Sequence, residues 1–90
     1  MKTISFNPGT NDEIGFDDFS LVENESNYSV MISCFSFRRL VQFLACGNGI
    51  NAVKQVILIA DSKGIKIKTD MLYVQNIDFD SQKIEILIYK

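Results

Sequence analysis

Hydrophobic side chains recur at every second position over most of this chain and at helical spacing in one stretch. In the run from Tyr28 to Phe35, Tyr28, Val30, Ile32 and Cys34 share one side while Ser29 and Ser33 take the other, as in a strand with one buried face. Phe16 to Glu23 places Phe19 and Leu21 at the same period, and the polar loop Glu23 to Asn27 joins the two runs as a hairpin. Ahead of them Lys2 to Phe6 alternates and stops at Asn7-Pro8-Gly9, where proline presets a turn and glycine accepts positive φ.

From Ser36 the period lengthens. Phe37, Leu40, Val41 and Leu44 form one stripe with Arg38, Arg39 and Gln42 opposite, which predicts an amphipathic helix over about 36–46, with Ser36 as N-cap and Gly47 just past its end. Asp61-Ser62-Lys63-Gly64 then separates two β-branched runs as a hairpin turn. Val56 to Ala60 reads as a strand, although Val53, Val56, Ile57 and Ala60 also have helical spacing behind a capping Asn51. Tyr73 to Phe79 and Lys83 to Tyr89 complete the pattern, with Tyr73, Ile77 and Phe79 on one face, Ile84, Ile86 and Ile88 on another, and Asp80 to Lys83 as the last turn. The expected fold is therefore α+β: an antiparallel sheet of about six or seven short strands, mostly meander, with the helix on one face, in a single domain over 1–90.

Size and composition narrow the function. The chain has 90 residues and 47% hydrophobic content, which suits a packed core and disfavours disorder, and a domain this small rarely encloses a deep substrate cleft as well. The longest apolar run is Val56 to Ala60, so neither a signal peptide nor a membrane span is expected. Cys34 and Cys46 lie inside apolar patterns and read as buried, reduced thiols in a cytoplasmic protein.

The stretch Ser36 to Gly49 holds paired arginines, a cysteine and Gly47-Asn48-Gly49, but its glycines follow the helix instead of opening it. Cys46 would sit at the negative end of the helix dipole, which disfavours a thiolate. The chain has no histidine, which removes the Ser-His-Asp triad, the Cys-His pair and the imidazole base, and leaves too few nitrogen and sulfur ligands for a structural zinc site. Neither Asn11 to Asp18 nor Asp78 to Lys83 follows a calcium-loop pattern. No catalytic residue, metal or cofactor is expected. Asp78 and Asp80 read as turn chemistry, with a small enzyme or ligand carrier built on them or on Arg38 as the outlying reading.

Charge supplies the remaining signal. Residues 1–27 carry Asp12, Glu13, Asp17, Asp18, Glu23 and Glu25 against Lys2 alone, whereas the rest of the chain carries more cations than acids. These six carboxylates are the candidate partner-binding residues, able to steer a basic protein into contact. Arg38 and Arg39, in the first helical turn where positive charge opposes the dipole, are candidates for a secondary contact with a carboxylate or phosphate on a partner. Lys63, Lys66 and Lys68 read as guards of a solvent-facing or edge strand, because a pI near 4.9 disfavours nucleic-acid binding.

The expected function is a non-enzymatic inhibitor that blocks a basic enzyme, such as a nuclease toxin, through an acidic surface. In general character the chain is similar to small acidic immunity proteins that neutralise nuclease toxins, a likeness carried by size and charge and by no motif. The alternative is a small homo-oligomeric structural or assembly subunit, such as a homodimer, that associates through the Val56 to Ala60 strand or an open sheet face.

Overall fold

A computed structural model describes residues 1–11, 13–17, 19–33 and 53–90. They form eight antiparallel strands: β1 (Lys2–Phe6), β2 (Ile14–Phe16), β3 (Ser20–Glu23), β4 (Asn27–Ser33), β5 (Val56–Ala60), β6 (Ile65–Thr69), β7 (Leu72–Asp78) and β8 (Lys83–Tyr89). Sheet I has the order β2-β1-β5-β6 and sheet II the order β3-β4-β8-β7. Each sheet is two hairpins laid side by side, and successive hairpins along the chain alternate between the sheets. The joins are the pairings of β1 with β5, where Ile4 faces Leu58, and of β4 with β8, where Val30 faces Ile86.

Period-two alternation explains the core. Ile4, Phe6, Val56 and Leu58 from sheet I, and Val30, Ile32, Ile84, Ile86 and Ile88 from sheet II, are fully buried in one continuous cluster between the sheets. Each such side chain contributes about 1.5–3 kcal/mol relative to exposure. The structure is a β-sandwich in which each sheet covers the apolar face of the other.

This architecture corrects the α+β expectation and the meander topology. The hairpins supply two apolar sheet faces that satisfy each other, so among the described residues the only helical element is a single 3-10 turn, Asp61–Lys63. The helix expected over about 36–46 lies outside the described residues, together with Cys34, Cys46, Arg38 and Arg39. The expected strand from Phe16 to Glu23 is in fact two strands in different sheets: β2 ends at Phe16, the chain crosses, and β3 starts at Ser20. Phe19, in the crossing, is buried beneath the Lys2 ammonium, which lies 4.7 Å from its ring centre.

Other expectations agree with the structure. Val56–Ala60 is a strand, although it is paired on both sides and offers no edge for association. The following turn ends at Gly64 with φ 66°, the left-handed region that glycine enters without cost. The expected face of Tyr73, Ile77 and Phe79 is not formed. A bulge between Val74 and Asn76 reverses the phase of β7, so Tyr73 points outward opposite Leu87, Ile77 points inward opposite Ile84, and Phe79 is exposed in the turn beyond. Among the described residues no helix is long and apolar enough to cross a membrane.

Candidate functional site

The carboxylates of the amino-terminal third take up different tasks. Asn7, in the left-handed region at φ 51°, and Gly9, at φ 78°, turn the chain after β1. The Glu13 carboxylate then accepts a hydrogen bond from the Gly9 N–H at 2.9 Å and closes the loop before β2. Asn7 is buried; its Oδ1 accepts from the backbone N–H groups of Lys54 and Gln55, tying this turn to the residues that lead into β5. Glu13 is thus exposed but locally engaged.

Glu23 ends β3 and faces the Lys90 ammonium at 3.1 Å, while that ammonium also lies 5.0 Å from the centre of the Tyr28 ring. Asp17 is exposed in the crossing between β2 and β3. Glu25 is exposed at the tip of the β3–β4 hairpin, which is closed by the Asn24 N–H donating to Asn27 O and the Asn24 amide donating to Asn27 Oδ1. Asp12 and Asp18 lie outside the described residues. Asp17 and Glu25 therefore bracket β3, the edge strand of sheet II. The edge itself is partly covered, because the Lys63 ammonium donates to the Leu21 carbonyl at 3.5 Å.

Asp78 and Asp80 stand at the end of β7 and in the turn that follows it. Asp78 Oδ1 accepts from the N–H groups of Asp80 (3.0 Å) and Ser81 (3.2 Å) and shapes the β7–β8 turn. Hydrogen bonds from the Ser81 hydroxyl and N–H hold the Asp78 carboxyl below its ordinary value, with smaller help from the Asp80 N–H and the Lys83 charge. Among the described residues no group of three or more acids and cysteines is placed to hold a metal ion.

The outer sheet faces form a surface that sequence reasoning missed. In sheet II, Val22 lies opposite Ser29, Ser29 opposite Leu87, and Leu87 opposite Tyr73, so one row in register crosses all four strands. Val22 is 59% exposed and Tyr73 53%. In the next row Glu85 lies between Met31 and Asn76 and accepts a hydrogen bond from the Ser29 hydroxyl at 3.2 Å. Val22, Ser29, Leu87 and Glu85 line a shallow depression of about 430 Å³ there.

The outer face of sheet I differs in charge. Lys66 stands opposite Ile59, and Lys68 opposite Ile57, with Thr3 and Ser5 on the neighbouring strand. Its edge strand β6 thus carries Lys66 and Lys68, two of the three lysines expected to guard an edge, while Lys63 lies in the turn before it. No family model, curated protein or solved structure matches the chain.

Proposed function

We propose that this chain is a non-enzymatic binding protein of the immunity or inhibitor type, which blocks a basic partner enzyme such as a nuclease toxin through an acidic surface. The observation that carries the reading is the position of Asp17 and Glu25, two exposed carboxylates at either end of the β3 edge strand. Both stand within the segment whose acids outnumber its cations. Exposed carboxylates on the rim of the sandwich speed the encounter with a basic surface more than they deepen the final affinity.

The test is retention of host-lysate proteins on the immobilised chain at about 0.05 M and about 0.5 M salt, beside the Asp17→Lys, Glu25→Lys variant. The expected result is a basic enzyme held at low salt, released at high salt, inhibited by the purified chain and associating severalfold more slowly with the variant. Equal association rates for the variant and the parent would overturn the proposal.

A further inference from the structure

We infer that the outer face of sheet II is the apolar centre of the contact with the basic partner, and that the partner presents apolar side chains framed by lysine or arginine. This rests on the function proposed above and adds the surface on which it is exercised. The centre is the row Val22, Ser29, Leu87 and Tyr73, which spans about 14 Å across four strands at their usual spacing. An exposed tyrosine and valine with a half-buried leucine between them form an aromatic and aliphatic patch with a polar surround, the composition of a protein-recognition centre and its rim.

Charge selects the occupant. The patch is continuous with the acidic edge, because Val22 belongs to β3 itself, between Asp17 and Glu25. Glu85 stands in the adjacent row. Among the described residues the one cation in the strands of this face is Lys83, directly opposite Asp78. At the β3 edge Lys90 is matched by Glu23, and the Lys63 ammonium is outnumbered by Asp17, Glu25 and Glu85. The outer face of sheet I offers Lys66 and Lys68 with no carboxylate in its strands, so a basic partner is repelled there and drawn to sheet II. The partner does not extend the sheet at β3, where Lys63 already occupies the Leu21 carbonyl.

The experiment compares the parent chain, a Val22→Ser, Tyr73→Ser variant and a Lys66→Ser, Lys68→Ser control, all shown to keep the parent melting temperature within a few degrees. The probe is the fraction of host lysate retained by a cation exchanger at neutral pH. Captured proteins are identified by mass spectrometry, purified, and titrated calorimetrically against each chain. The expected result is one basic protein whose affinity falls at least about tenfold for the Val22, Tyr73 variant and is unchanged for the lysine control. Full affinity for the Val22, Tyr73 variant with slowed association for the Asp17, Glu25 variant would overturn this inference while leaving the proposed function standing. Capture of no basic protein would overturn both. A dimer of the chain alone in sedimentation velocity, dissolved by the Val22, Tyr73 substitutions, would assign the face to a second copy and overturn the inference as well.

Discussion

Lys90 Nζ lies 3.1 Å from Glu23 Oε2, so one of the six carboxylates that mark the amino-terminal third as acidic is already matched from within the molecule. The pair is partly exposed, which limits its worth to about 0.2–1 kcal/mol. Glu23→Gln is expected to lower the unfolding free energy by that amount in urea titrations at low salt, and by less at high salt. The same substitution should leave partner capture unchanged, in contrast to reversal of Asp17 and Glu25.

Asn7 holds two distant backbone donors on one carbonyl oxygen and adopts a left-handed backbone. Asn7→Ala removes the acceptor and puts a methyl side chain where the backbone disfavours it, an expected loss of about 3 kcal/mol. Asn7→Asp keeps the acceptor and the backbone tolerance, and should lose less than half as much. Equal losses in equilibrium urea unfolding would show that the two N–H groups do not depend on this oxygen.

Asp78 makes stability depend on acid. Its folded carboxyl titrates below the ordinary value, so its contribution is complete above about pH 4 and disappears as the pH falls through the lower, folded value. Asp78→Asn retains an oxygen for the Asp80 and Ser81 N–H groups without the charge. The melting temperatures of the two proteins should therefore be close under strongly acidic conditions, and the parent should gain on the variant as the pH rises toward about 4. A constant difference across that range would exclude Asp78 as the titrating group.

On the β6 edge, Lys66→Val with Lys68→Val converts alternating charge into a continuous β-branched strand. Native stability should change little, because both lysines are exposed, while light scattering on prolonged incubation should rise well above that of the parent. Unchanged scattering would mean that the edge is protected by something other than these two charges.

The local signals in the chain were readable and the long-range ones were not. Ile84, Ile86 and Ile88 occupy one face as their spacing indicates, and Gly64 closes its turn as expected, because both depend only on neighbours along the chain. The division into two sheets falls between Phe16 and Phe19: Ile14 and Phe16 share one parity and Phe19 and Leu21 the other, and this slip alone does not say that the chain changes sheets. The bulge at Gln75 left no mark in the pattern either, so Tyr73 and Ile77 share a parity and yet take opposite faces. For the candidate site, the acidic residues were visible as charges, but the Gly9 N–H and the Lys90 ammonium that engage two of them were not. The period-two spacing of Phe19 and Leu21 puts Val22 on the opposite face, but its alignment with Ser29, Leu87 and Tyr73 is a long-range register that no local pattern carries.

The alternation of hairpins between the sheets bears on how the chain reaches its native state during synthesis. Both central pairings, Ile4 with Leu58 and Val30 with Ile86, close loops of more than fifty residues. A nascent chain that has emerged only through β4 holds two half-sheets, each with an unsatisfied inner edge. Loop closure of this length slows folding relative to local contacts, and sheet II waits for its final strands. The protein is thus committed to folding late, with β1 and β4 exposed to other chains until β5 and β8 arrive, and its yield in the cell should depend on the rate of translation and on chaperones that shield open strands.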